Sequence, residues 1–306
     1  MRSAYALGAA VGYAADAAFG DPRRGHPVAG FGRLAGALER RLWRDHRAAG
    51  AAFTALTVGS ILAAARWADR RLPRAALAAA ATWTVLGGAS LVREARTIAR
   101  HLDAGDLDAA RDRLPYLCGR DPRELTEREL ARAVVESVGE NTADAVVNAL
   151  TWGALAGTPG LLAFRAVNTL DAMVGHRSPR YLRFGWASAR LDDVAGWPGA
   201  RLTALLTVVA SPDPVRAWKV WRRDAASHPS PNAGHAEAAF AGALGVRLGG
   251  PLRYGERVEH RPVLGAELRP VSVDDIERAC RLSRRVGLLA LGVTCAVSLA
   301  THWRKR

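Results

Sequence analysis

The chain has 306 residues, enough for one large domain or two small ones, and a formal net charge of +14 at pH 7. Nearly all the positive charge is arginine, with Lys219 and Lys305 the lysines, and it is spread over every polar connection instead of gathering on one helix. That scatter argues against a nucleic-acid-binding face and fits basic loops near anionic lipid; Cys118, Cys280 and Cys295 form no CxxC pair, so neither a disulfide framework nor a zinc site is indicated.

Apolar stretches cluster at 3–20, 48–65, 75–92, 142–164, 199–211 and 286–303. Several approach the roughly 18–20 residues that cross a bilayer. Period-2 alternation is scarce, and Gly/Pro clusters punctuate helical patterns. The pattern predicts an all-α, polytopic integral membrane protein with about four to six membrane-embedded helices. Polar helical and loop regions would form the site. One membrane-embedded domain is expected over 1–306, with polar insertions at 93–141 and 212–285. The competing reading is an alanine-rich soluble bundle, since 75–92 is mostly alanine, a weak hydrophobe and a strong helix former.

Residues 1–20 lack a basic leader and are interrupted by Asp16, so they read as a first membrane helix and not as a cleaved signal. A polar loop is expected next, GDPRRGHPVAGFGR (20–33), in which Gly and Pro hold an irregular backbone. Asp21 and His26 are its candidates for a site; the plain alternative is an Asp-Pro turn with a surface histidine. The basic turn 66–74 joins two apolar helices; 93–141 reads as a polar helical stretch without membrane character, and within it LDAGDLDAARDRLPYLCGRDPRELTEREL (102–130) alternates charges like solvated helices.

In ESVGENTADAVVNAL (136–150), Glu136, Glu140 and Asp144 recur every four residues, with Asn141 and Asn148 beside them. On an α-helix these carboxylates share one narrow sector and repel unless something positive faces them. The stripe runs into apolar 142–164, where acidic groups are costly and usually functional. Gly157, Thr158, Pro159 and Gly160 break that run, which predicts a helical hairpin or re-entrant pair instead of one straight span. Farther on, Arg165, Asn168 and Asp171 fall on one helical face, and Gly175 is expected to end that helix. The adjacent Asp192 and Asp193 precede the apolar LTALLTVVA, with Arg190 near enough to pair with either. Neighbouring helical residues point about 100° apart, so the two grip one cation only at a helix end or in a loop. The alternative is a salt-bridged cap. In 228–255, HPSPNAG fixes a loop, and a helix is expected to start near His235 and Glu237. The last stretch, 286–303, carries Trp303 as an aromatic anchor and Arg304, Lys305 and Arg306 as a basic stop. Arginines at 23–47, at 66–74 and at the C-terminus cannot share one face if every apolar run spans, so charge alone does not set sidedness. GxxxxGK[ST], GxSxG and HExxH are absent.

Four of these stretches together, GDPRRGHPV, ESVGENTADAVV, NTLDAMVGH…RFGWASARLDDVAGWPGARLTALL and HPSPNAGHAEAAFAGALGVRLGG, resemble the cobinamide (adenosylcobinamide-phosphate) synthase family of cobalamin biosynthesis. They keep the family's order over residues 20–250, most of the chain. Ala145, Ala149 and Ala236 depart from the expected Gly, Pro and Pro but leave the acidic and amide residues intact. The resemblance implies a multi-pass protein of the cytoplasmic membrane with a cytoplasm-facing site. It implies an ADP-forming acid–amine ligase that joins (R)-1-amino-2-propanol, or its O-phosphate, to the f propionate of adenosylcobyric acid. ATP would be a cosubstrate and Mg²⁺ a cofactor. A homo-oligomer or association with other cobalamin-assembly enzymes is left open.

An amide made from a carboxylate and an amine needs an activated carboxylate, plausible as an acyl phosphate, and a base for the amine. On this reading Asp192 and Asp193 hold Mg²⁺. Glu140 or Asp144 assists, with Asp171 as a further catalytic candidate. Asp21, His26, Glu136, Asn141, Asn168, His228, Ser230, Asn232 and Glu237 line the substrates, and Arg190 takes phosphate. Two rival readings remain: a polytopic phosphotransferase acting on a lipid alcohol, and a non-catalytic corrinoid-binding or transport protein.

Overall fold

The computed structural model describes residues 2–22, 25–254 and 257–303. The expected basic stop at Arg304, Lys305 and Arg306, the side chain of Trp303, and Arg23 and Arg24 of the first polar loop lie outside that description. The chain is 78% helical and an all-α polytopic membrane protein. Among the described residues, four helical segments are long and apolar enough to cross a membrane: Arg47–Arg71, Arg74–Asp103, Glu127–Gly175 and Asp274–Ala300. The chain divides into two compact units.

The first unit comprises 1–87, 144–198 and 291–306. Its helices are α1 (Arg2–Phe19), α2 (Pro27–Leu42), α3 (Arg47–Arg71), α4 (Arg74–Val85) and α8 (Asn148–Leu170), with the start of α9 (Trp186–Ala210) and the end of α12 (Asp274–Trp303). The expected loop 20–33 is helical from Pro27 onward. Proline suits the first helical position, and His26 caps it by accepting the Val28 amide at 3.2 Å. Helices α1 and α4 run parallel at close range. A Cβ at Gly8 would strike Ala75 and Ala78, and one at Gly12 would strike Ala79 and Thr82, so the Gly-x₃-Gly spacing lets the backbones meet. At the start of α3, Gly50 admits the backbone of Phe184, whose ring stacks 5.2 Å from Phe53, and Thr54 bonds Ser188 at 2.8 Å.

The break foreseen in 142–164 falls at Gly157, with φ 69° and ψ −162°, a region open essentially to glycine. Pro159 follows, and the chain turns back on itself: a Cβ at Gly160 would strike the carbonyl of Trp152. Eight residues on a straight helix are about 12 Å apart. The segment Glu127–Gly175 is therefore no single straight span. Both outer ends of the hairpin unwind into π-helical turns, Thr142–Val147 and Asp171–Gly175.

The second unit comprises 88–143 and 199–290. It holds α5 (Gly88–Asp103), α6 (Leu107–Arg113), α7 (Glu127–Asn141), α10 (Pro214–Asp224), α11 (Ala233–Leu244), and the parts of α9 and α12 that fall within it. The charge-alternating stretch 102–130 is largely exposed or half-buried, as expected of solvated helices. The expectation that 93–141 has no membrane character is corrected at its two ends, which the apolar segments Arg74–Asp103 and Glu127–Gly175 reach; Leu91, Val92, Ala95, Ile98 and Leu102 of α5 are buried, as is α7 from Ala133 through Gly139. A Thr126–Glu129 capping box starts α7, and Gly139 lies against Phe240 of α11. Ala and Gly along α11 let α10 approach, with a Cβ at Gly242 landing 2.7 Å from Ala217. The polar section 212–285 also contains an antiparallel hairpin that periodicity did not reveal, β1 (Leu248–Tyr254) and β2 (Arg257–Leu264), irregular at Gly249–Gly250.

Candidate functional site

In the first unit the polar candidates gather around Arg165, on the returning arm of the hairpin. Its guanidinium reaches Asn168 at 3.5 Å, and Asn168 reaches Asp192 at 3.5 Å, both at the outer limit of hydrogen bonding. Asp21 and Asp144 lie within electrostatic range of the same guanidinium. His26 sits 3.8 Å from Asp21. Asp21 Oδ1 and Arg165 Nε are buried with no hydrogen-bond partner among the described residues. Buried polar atoms without hydrogen bonds are costly, and a carboxylate oxygen held only by a 3.8 Å contact with His26, near further acidic groups, fits a cation or a polar ligand. Among the described residues, no three His, Cys, Asp or Glu side chains are already arranged as a metal cage.

The acidic stripe of 136–150 is divided. The π turn at Thr142–Val147 interrupts the four-residue repeat, so Asp144 belongs to the Arg165 group while Glu136 and Glu140 belong to the second unit. Such turns recur at functional sites. Asp171 opens the other π turn, and a Cβ at Gly175 would collide with its carboxylate. Glycine thus ends this helix by making room for Asp171, and the backbone leaves at His176 in extended conformation.

Asp192 and Asp193 lie inside α9, beyond its first turn, and not at a helix end. Their carboxylates face different neighbours. Asp192 looks to Asn168, and Asp193 pairs with Arg190 at 3.3 Å.

Arg190 and Asp193 also line a cavity of about 650 Å³. Its walls carry the arginines Arg47, Arg177 and Arg183, the imidazoles of His46 and His176, and the aromatic rings of Tyr181 and Trp186. Arg47 lies over Trp186, 5.5 Å from the ring centroid. The N-terminal ends of α3 and α9 contribute Arg47 and Trp186, and helix N-termini favour anions. None of His46, Arg47, His176, Arg177 or Arg183 stood out in the sequence, because arginine is everywhere in it and only the fold gathers these.

The second unit holds a separate cluster. Glu136, 2% exposed, is bonded by Arg120 and accepts the Gly249 amide at 2.6 Å. Glu140 and Glu237 lie near it, with Arg120 and Arg261 as their cationic neighbours. Burial holds the Glu237 carboxyl well above the ordinary range; Glu136 and Glu140 push it further, and Arg261 and Arg120 oppose them. The Ser230 amide donates to His228 Nδ1 at 3.0 Å, and His228 Nε2 lies 3.4 Å from the Arg261 guanidinium and 3.7 Å from Glu237. Ser230 Oγ accepts the amides of Asn232 and Ala233, and Asn232 accepts from Arg201 at 2.9 Å. Helix α11 begins at Ala233, two residues before His235. Asn141 spends its amide group on Ser137, at 2.9 Å from the carbonyl oxygen and 3.1 Å from the hydroxyl. Arg120, Arg201 and Arg261 were not foreseen as partners.

The CobD/Cbib protein family profile matches residues 9–283. The "Cobalamin biosynthesis protein CobD" of Mycobacterium tuberculosis H37Rv is 55% identical over 288 residues, covering 92% of each chain. The protein of the same name from Pelobacter propionicus is 43% identical over 301 residues, 94% of this chain and 92% of that one. That from Rhodobacter capsulatus is 39% identical over 290 residues, 92% of this chain and 91% of that one. No solved structure matches the chain.

Proposed function

The chain belongs to the CobD/Cbib family, and from that premise we propose that it serves cobalamin biosynthesis as an ATP-dependent amide synthase of the cytoplasmic membrane. The substrates are a corrinoid bearing the f propionate and (R)-1-amino-2-propanol or its O-phosphate. The observation that carries this reading is the arginine- and histidine-lined cleft of about 650 Å³ sharing Arg190 and Asp193 with the acidic stretch of α9. Arginines clustered around aromatic rings suit an enzyme that handles a polyphosphate, and family membership favours a corrinoid over a lipid alcohol as the acceptor.

The chemistry has two steps. A propionate oxygen attacks the γ-phosphorus of ATP, forming an acyl phosphate and releasing ADP. The amine nitrogen then attacks the acyl carbon, loses a proton to a base, and expels inorganic phosphate as the amide forms. In the first step Arg47, Arg177 and Arg190 offset charge on the phosphoryl oxygens. Mg²⁺, which takes one or two carboxylates plus phosphate oxygens, would neutralise further charge, with Asp192 and Asp21 as its ligands. Asp193 stays with Arg190. Asp144 and Asp171, on the two π turns of the first unit, are the carboxylates available to accept the amine's proton.

The test is a mass-spectrometric assay of detergent-purified protein with adenosylcobyric acid, aminopropanol phosphate, Mg²⁺ and ATP. A corrinoid heavier by one amide-linked aminopropanol phosphate, with ADP in step, is expected; free aminopropanol run in parallel decides the amine. The broken helix at Gly157 supports a second reading, since broken helices line transport sites. Tight corrinoid binding without ADP release would favour it over the ligase.

A further inference from the structure

At the other end of the first unit lies a recess that the proposed chemistry does not use. Helix α3 has 25 residues, about 37 Å at 1.5 Å per residue, enough to cross a hydrocarbon core of about 30 Å. Its first residue, Arg47, lines the cleft described above. Its last turns carry Arg66, Asp69 and Arg70, and α4 begins two residues beyond it at Arg74. These residues, the hairpin tip around Gly157, Tyr5 of α1 and Ser298 of α12 surround a cavity of about 400 Å³. The two cavities thus lie at opposite ends of one membrane-crossing helix.

The recess has the chemistry of an anion site. Asp69 pairs with Arg74 at 3.6 Å, while Arg66 and Arg70 have no ion-pair partner among the described residues. Helix α4 starts there with no side-chain cap, leaving the positive end of its dipole to the cavity. In the wall, Tyr5 is 6% exposed and its hydroxyl has no hydrogen-bond partner among the described residues. A buried phenol without an acceptor is costly, and a phosphate oxygen supplies one.

Its surroundings are those of lipid. Trp67, between the two unpaired arginines in sequence, is 62% exposed, and Leu155 at the hairpin tip is 54% exposed. An exposed tryptophan beside arginines at a helix end marks the depth of the headgroups. A soluble phosphate has no use for these apolar side chains, whereas acyl chains cover them. We propose that this recess binds the phosphate of an anionic phospholipid, in the leaflet opposite the acidic site, with Arg66 and Arg70 as its cations and the Tyr5 hydroxyl as a donor.

Native mass spectrometry of the full chain in detergent tests this, with phosphatidylglycerol, phosphatidylcholine and glycerol 3-phosphate as probes. Phosphatidylglycerol is expected to be retained about tenfold over phosphatidylcholine and to resist millimolar glycerol 3-phosphate. The R66Q/R70Q variant should lose that preference, and an R40Q/R41Q control on α2 should keep it. Tyr5→Phe, which removes a single oxygen, should weaken retention severalfold, and it serves if the arginine variant fails to fold. Equal retention of both lipids, or an unchanged preference in both R66Q/R70Q and Tyr5→Phe, overturns the proposal. Displacement by glycerol 3-phosphate also overturns it and reassigns the recess to a soluble phosphate.

Discussion

Arg120→Ala is expected to destabilise the second unit far more than loss of a surface arginine. The Arg120 and Glu136 side chains are 8% and 2% exposed. Two unit charges about 4 Å apart interact with roughly 4 kcal/mol at an effective dielectric constant of 20. Removing one partner of a buried pair leaves the other charge uncompensated, at a cost of about 3–5 kcal/mol. Glu136 also holds the Gly249 amide at 2.6 Å, where β1 is irregular, so part of the loss should appear there. Replacing Glu136 by Gln in the same background removes the stranded charge and keeps an acceptor for that amide. The double variant should recover at least half the loss, giving a coupling of about 2 kcal/mol. Equilibrium unfolding in mixed micelles measures the four corners of the cycle, and hydrogen exchange at Gly249 gives a local reading. If Arg120→Ala stays within about 1 kcal/mol of the parent, the pair behaves like an exposed one and the reasoning from burial is wrong.

Asp192→Asn should abolish amide formation while the protein remains folded and monodisperse; unimpaired turnover would remove Asp192 from the mechanism. Arg177→Ala should raise the KM for ATP about tenfold or more with little change in kcat, and an unchanged KM would place the nucleotide elsewhere. Gly157→Ala forces a side chain into φ 69°, ψ −162°, and should cost about 1–3 kcal/mol in thermal unfolding; a neutral effect would mean the turn is not as tight as described. Burial, with Arg201 and Arg222 adding to it, holds the His235 imidazole down at about 4, below the ordinary 6.5. The folded state therefore favours the neutral ring, so its contribution is complete above pH 6.5 and is lost as pH falls toward 4. Trp221 donates to His235 Nδ1 at 2.9 Å, so its fluorescence should follow that loss, and His235→Gln should flatten the difference between pH 7 and pH 5.

Helix content, membrane character and the break at Gly157 were legible in the sequence because each rests on local chemistry: runs of apolar residues and a Gly-Thr-Pro-Gly interruption. The helix at 27–42 was missed because GDPRRGHPVAGFGR looks like a loop at every glycine, although Pro27 after His26 is a start signal. The burial of α7 was illegible for a different reason. Glu136 and Glu140 stood out as a carboxylate sector needing a positive partner, but that partner, Arg120, is one arginine among many in the sequence and only the fold brings it to Glu136. The hairpin 248–264 escaped because Gly249 and Gly250 interrupt its alternation. Asp192 and Asp193 stood out as neighbours, yet helical geometry aims them apart. The basic cleft was invisible, because Arg47, Arg177 and Arg190 meet only after α3 and α9 pack.

The fold-back at Gly157 also bears on how passages through a bilayer are counted. A segment that enters and returns has even parity: Asp144 at one end and Asp171 at the other emerge on the same side, whatever the depth of the tip. A hydropathy count that scores Glu127–Gly175 as one crossing inverts the assigned side of His176 and Arg177. Reporter fusions placed after Leu42 and after His176 should therefore agree in sidedness, since Arg47 and His176 line one cleft, and a fusion after Leu72 should oppose both.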